Sequence, residues 1–285
     1  MFFSQRFGKV KMSTREQLIL ASQNGELETI KYLVKMGVNV TDWDNDAVVW
    51  ASVYGHLNVV KYLVENKADI TAQDNETIRC ASQNGHLKIV EYLVENKADV
   101  TAQVNHAVRW ASGNGHLETV KYLVKIGADI TAQDNWAVQR ASEYGHLNVV
   151  KYLVENEADV TAQDNYPIVW ASKHGHLDVV EYLVKVGADV TARNNHPICW
   201  ASRNGHLETV EYLLEMGTDI NKLTPKHKLY FKQKRAYSKW RRVYLRNWIR
   251  KVLIPLYYSP QNRGGIQAKL ALEAVASRHK KNLED

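Results

Sequence analysis

Ala51-Ser52-Val53-Tyr54-Gly55-His56-Leu57 returns thirty residues later as Ala81-Ser82-Gln83-Asn84-Gly85-His86-Leu87, and again from Ala111, Ala141, Ala171 and Ala201. A variant with Glu26 in place of the histidine, Ala21-Ser22-Gln23-Asn24-Gly25-Glu26-Leu27, opens the series. Seven units therefore run in phase over residues 13–221. A fixed period of this size marks a stacked repeat architecture.

Each unit reads as two short helices and a turn. In residues 45–74, Asn45 to Tyr54 make the first helix, ended by Gly55, which accepts a left-handed exit. Leu57, Val60, Leu63 and Val64 then recur at helical spacing and predict an amphipathic second helix. Asn66-Lys67 stops it, and Gly37, Gly127, Gly187 and Gly217 stand at the Lys67 slot in four units. Ala68 to Ala72 is expected to be a short extended connector. Two helices this small cannot bury their own apolar faces, so neighbouring units must stack. The expected fold class is all-α: a solenoid of seven 30-residue helix–turn–helix units with a basic helical C-terminal extension.

Composition agrees and excludes alternatives. Of 285 residues, 45% are hydrophobic and 9% aromatic, too many for a disordered chain. No run approaches the ~18 apolar residues that span a bilayer. The segment 1–12, expected to be flexible, is broken by Arg6, Lys9 and Lys11 and lacks a signal-peptide core. With only Cys80 and Cys199 there is no disulfide framework, and four units separate them. The expected location is cytoplasmic or nuclear, in the host cell if the chain is viral, and not secreted. Asn39-Val40-Thr41 and Asn75-Glu76-Thr77 match the glycosylation pattern but read as chance without a leader.

Gly-His-Leu, then Val-x-x-Leu-Val, then Gly-Ala-Asp-Ile resemble an ankyrin repeat. Pro167-Ile168 and Pro197-Ile198 keep part of that family's helix opening, whereas Ala47, Ala107 and Ala137 replace the proline. The family period is about 33 residues. The shorter unit here has its gap between Asn135 and Ala137, which implies stubbier hairpin fingers. The units resemble still more closely a set of ankyrin proteins from giant DNA viruses, a likeness that brings no activity with it.

Several residues invite a chemical reading. His56, His86, His116, His146, His176 and His206 form a ladder. Helices packed about 8–10 Å apart cannot let adjacent rungs share a metal needing nitrogens at about 2 Å. Packing at the inter-helix turn is therefore expected, with no metal site and no cofactor. The tyrosine ladder from Tyr32 to Tyr212, together with Trp50, Trp110, Trp170 and Trp200, is expected in the stacking core. Phosphate loops, nucleophile elbows and metalloprotease motifs are all missing, so catalytic residues are not expected and the chain reads as a non-enzyme.

Slots that vary between units carry more information than slots that repeat. The resemblance implies that these slots line a concave face gripping other proteins. Aromatic residues are favoured interface anchors. Trp136, Tyr144, Tyr166, His174 and His196 fall in adjacent units and predict one patch, with Tyr54 as an outlying candidate. The expected function is a monomeric protein-interaction scaffold with a protein partner of unknown identity, a host protein if the chain is viral.

After Asn221 the chemistry changes. Of the chain's 37 basic and 31 acidic residues, residues 222–285 hold 17 and 3, giving +14, while residues 1–221 hold 20 and 28, giving −8. The −8 is expected to be scattered over repeating surface slots. Thr224-Pro225 starts and Pro255 stops a basic amphipathic helix, assigned to 222–254. Lys228, Lys232, Arg235, Lys239, Arg242, Arg246 and Arg250 share one face, and Tyr230, Tyr237, Trp240, Tyr244, Trp248 and Val252 the other. Three roles remain open for it: capping the last repeat, binding nucleic acid, or lying on an anionic surface or in a partner's groove. Residues 255–285 read as a loop with a short helix near 266–279.

Overall fold

The structure, a computed structural model, describes residues 12–248. The expected flexible N-terminus, except for its last residue, lies outside the described residues. So do the C-terminal short helix, Arg250, and the side chains of Arg235 and Arg242. The chain divides into two compact units, residues 1–222 and 223–285. Among the described residues every regular element is helical.

The first unit is a run of helix pairs: α1 (Thr14–Asn24) with α2 (Leu27–Lys35), α3 (Asp42–Val53) with α4 (Leu57–Glu65), and α5 (Ala72–Gln83) with α6 (Leu87–Glu95). Then come α7 (Ala102–Gly113) with α8 (Leu117–Lys125), α9 (Ala132–Glu143) with α10 (Leu147–Glu155), α11 (Ala162–His174) with α12 (Leu177–Lys185), and α13 (Ala192–Asn204) with α14 (Leu207–Glu215). A capping box starts the series, with Glu16 N donating to Ser13 Oγ at 3.2 Å and Ser13 N to Glu16 Oε2 at 2.7 Å.

The connector is not extended. Asp69 Oδ1 accepts from Thr71 N at 2.9 Å and Thr71 Oγ1 at 2.7 Å, which bends the chain into an Asx turn. These bonds also hold the Asp69 carboxyl below its usual range. Next, Gln73, Asp74 and Asn75 all lie at positive φ, from 51° to 59°, so the right-handed helix of α5 begins only after Asn75. The same break recurs in α7, α9, α11 and α13. It is a compact turn in the place of a finger. Its last residue clips consecutive units: Asn75 Oδ1 accepts from Asp99 N at 2.7 Å, and the offset of 24 residues repeats from Asn45, Asn105, Asn135 and Asn165. Pro167 and Pro197 sit just beyond the break, in the first right-handed turn, where a missing N–H costs nothing.

Stacking follows residue size. Ala51, Ala81, Ala111, Ala141, Ala171 and Ala201 are fully buried, and small side chains let successive first helices approach closely. The second helices, α4 to α14, touch one another far less than the first helices, α3 to α13. The first-helix layer is thus the tighter, inner side of the array. Between the layers, Val60 and its counterparts at 30-residue spacing, from Ile30 to Val210, are fully buried, with Val59 and Leu63 packed beside Val60, each stabilising by about 1.5–3 kcal/mol. That stripe is rotated from the Leu57–Val60–Leu63–Val64 reading, since Leu57 and Val64 are only half-buried.

The rotation moves the tyrosine ladder out of the core. Tyr32 is 62% exposed and the later rungs are half-buried on the flank of the second helices. Lys61 Nζ lies 5.5 Å from the centroid of Tyr92, and Lys151 Nζ 5.8 Å from that of Tyr182. A phenol keeps its hydroxyl wet in this way while its ring covers apolar surface.

In the second compact unit, α15 spans Pro225–Trp248 and contains no acidic residue. His227 N donates to Thr224 Oγ1 at 3.4 Å, the expected N-cap. Lys232, Lys239 and Arg246 are exposed and Lys228 is half-buried.

Candidate functional site

The histidine ladder is structural. His116 Nε2 lies 3.0 Å from the Gln83 carbonyl in the preceding unit, and the same bond joins His56 to Gln23, His86 to Val53, His176 to Glu143 and His206 to Lys173. A carbonyl only accepts, so each ring carries its proton on Nε2. Burial holds the His116 and His146 rings below the usual histidine range, keeping them neutral. No group of three metal-ligating side chains occurs among the described residues. Cys80 and Cys199 are both free and half-buried. Burial pushes the Cys80 thiol up to about 11, which leaves it an inert filler.

The variable slots of the first helices build a more distinctive surface. The slot before Ala-Ser holds Trp50, Trp110, Trp170 and Trp200, but Leu20, Cys80 and Arg140 in the first, third and fifth units, and in the fifth a tryptophan appears one turn earlier at Trp136. Residues one helical turn apart share a face. The exchange therefore sets Trp136 against Trp110, with ring centroids 5.6 Å apart. The guanidinium of Arg140 lies 5.0 Å from the centroid of Trp136 and 4.7 Å from that of Tyr144, and Arg109 is 5.0 Å from Trp136 on its own approach.

Arg140 also donates to the Tyr144 hydroxyl at 2.7 Å and pairs with Glu143. Glu143 Oε1 in turn lies 3.8 Å from His174 Nε2. His174 stacks on Trp170 at 6.0 Å, and Trp170 contacts Tyr166 at 6.4 Å. Trp136, Arg140, Glu143, Tyr166 and Trp170, with Gln139 and Gln163, line an open cleft of about 250 Å³.

Of the six aromatic candidates, Trp136, Tyr144, Tyr166 and His174 thus meet around Arg140 and Glu143. Tyr144 remains 48% exposed. His196 is exposed on the last unit, and Tyr54 stacks on Trp50 at 6.0 Å toward the other end of the array. The tryptophans expected in the stacking core, Trp170 among them, are only half-buried, with Trp170 lining the cleft. Arg140 and Glu143 escaped the sequence reading. Their signal was the break in the tryptophan slot, visible as Arg140 standing where Trp110 and Trp170 stand.

The charge distribution also departs from the expected scatter. Arg109, Arg140, Lys173, Arg193 and Arg203 all stack on rings of this one face, Lys173 at 4.0 Å from Trp170 and Arg193 at 4.1 Å from Tyr166. A net −8 array therefore has a cation-rich inner side.

Three stretches of the chain, residues 7–74, 75–134 and 138–224, match the family model for ankyrin repeats. Among solved structures, the ankyrin repeat domain of human ASB11 superposes with a TM-score of 0.62 at 24% identity, covering 71% of this chain and 98% of that one. That likeness concerns the fold alone. No curated protein sequence matches the chain.

Proposed function

The chain belongs to the ankyrin-repeat family, and from that premise we propose that it is a non-catalytic scaffold that binds a protein partner through the inner face of its array. Ankyrin repeats generally mediate protein–protein interactions. The observation that carries the reading is the convergence of Trp136, Tyr166 and Trp170 on one cleft of about 250 Å³, with Tyr144 and His174 contacting its lining residues Arg140 and Trp170. Aromatic and arginine side chains supply most interface hot spots, and here packed helices hold them before binding, so little ordering entropy is lost. The likeness of the units to giant-virus ankyrin proteins makes host proteins of the cytoplasm or nucleus the first partners to screen. Capture by the full chain should fall by about a hundredfold in affinity for Trp136→Ala with Tyr144→Ala, the loss of two anchors. Undiminished capture by a folded double variant would remove the cleft from the function.

A second reading attaches to α15, whose exposed Lys232, Lys239 and Arg246 share one face of an acid-free helix. It supports binding to nucleic acid or another anionic surface. A full chain with these residues and Lys228 changed to Gln should then lose most of the salt dependence of such binding.

A further inference from the structure

We infer that the partner held by the inner face presents an acidic peptide segment, whose carboxylates are received by Arg109 and the guanidiniums beside it. This rests on the inner face being the binding surface and adds what that surface selects.

Arg109 is the central observation. It is 6% exposed, and its guanidinium donates to the Gln103 carbonyl at 2.9 Å and to Gln133 Oε1. No carboxylate lies within 4.0 Å of it among the described residues, and its Nε has no partner. A buried cation without a counter-charge leaves part of its electrostatic demand unmet. On one side stands Arg79, joined only loosely to Glu76 at 3.9 Å. On the other is Arg140, whose Nε is likewise buried without a partner. The row therefore spans three consecutive units with more guanidinium than acid.

Ring geometry decides between acidic peptide and nucleic acid. A base needs an uncovered aromatic face to stack on. Here Trp136 is approached by two guanidiniums at 5.0 Å and Trp170 by an ammonium at 4.0 Å. A guanidinium over a ring can still take a carboxylate through its N–H edge, by two parallel bonds. The net −8 of the array would also repel a long polyanion, whereas a short acidic segment meets only the inner face.

The test uses the full chain and three probes: a short synthetic peptide with a run of glutamates, the same peptide with each Glu replaced by Gln, and an oligo-dT of similar length. Binding is followed by tryptophan fluorescence, which reports on the Trp110–Trp136 contact. The glutamate peptide should bind and the glutamine peptide should not. Arg109→Gln, the residue already present as Gln139 in the next unit, should weaken binding at least about tenfold with its thermal melt retained. Arg109→Lys, which keeps the charge without the fork, should weaken it less. Because α15 is also basic, a chain with Lys228, Lys232, Lys239 and Arg246 changed to Gln serves as a control that should bind the glutamate peptide as before. Glutamate-peptide binding lost in that control but kept in Arg109→Gln would overturn the inference. Arg109-dependent binding of oligo-dT at equal strength would overturn it too, as would absence of binding by either peptide. A protein partner whose capture depends on Trp136 and Tyr144 yet ignores Arg109→Gln would also overturn it, leaving the inner-face reading intact.

Discussion

The turn after each first helix and the turn after each second helix both place a residue at positive φ, yet they accept different residues there. Glycine fills all seven of the former, from Gly25 to Gly205, but only four of the latter, where Lys67, Lys97 and Glu157 stand at φ of 71–73°. The backbone demand is the same, and the surroundings differ. A Cβ on Gly115 would sit 2.5 Å from Nδ1 of His146, the ring that the next unit lays against it. At Gly127 nothing lies within 4 Å. Gly205 has no following rung and is equally open. A left-handed residue alone is therefore tolerated, and a left-handed residue under a neighbour's ring is not.

The strongest attempt to break that contrast is Gly115→Ala against Gly127→Ala. The first should cost about 3 kcal/mol or more, combining left-handed strain with overpacking, and the second about 1 kcal/mol. Urea unfolding at neutral pH measures both, and equal losses would show that backbone conformation alone governs the turn. Adding His146→Ala to Gly115→Ala should cost less than the two single losses together, since the clash is then absent. Lys97→Gly sharpens the contrast in the opposite direction. It should stabilise by about 1 kcal/mol, because an open left-handed site gains from losing its Cβ.

Val104 provides a smaller test. It occupies the middle of a left-handed break, at φ 55°, where the other breaks carry Asp or Asn. A β-branched side chain is ill suited to that conformation, so Val104→Asn should raise stability by about 0.5–1 kcal/mol. The smallest expected effect separates the ladder histidines, tied to carbonyls, from His106, which has no partner at Nδ1. Burial first, then the nearby Arg79 and Arg109, lower the His106 pKa to about 4. Below about pH 6.5 the unfolded chain takes up a proton that the folded ring refuses, so stability falls with pH until about 4 and then levels off. Solvent screening at this half-buried ring reduces the effect, which is measured as a shallower acid loss in His106→Gln.

The two-helix unit, its stacking and the structural role of the histidines were legible because one period repeated every cue. The left-handed break was not. Thr71-Ala72-Gln73-Asp74 contains no glycine or proline, and its conformation depends on Asn75 meeting Asp99 of the following unit, a contact no local pattern reports. The tyrosines were misplaced for a related reason. Helical spacing puts Tyr62 beside Leu63, but only the packed neighbour shows that the buried arc begins at Val59. At the candidate site, aromatic residues drew notice singly, whereas Arg140 matters through the three rings and one carboxylate around it.

The asparagine clip reaches 24 residues forward and the histidine bond 33 residues back, bracketing a period of 30. Inserting or deleting a few residues inside a unit would throw both reaches out of register at once. Removing or duplicating a whole period restores both. The array's length is consequently quantised: its genetic drift can proceed in whole units, while slippage by any fraction of one is selected against by two independent rulers.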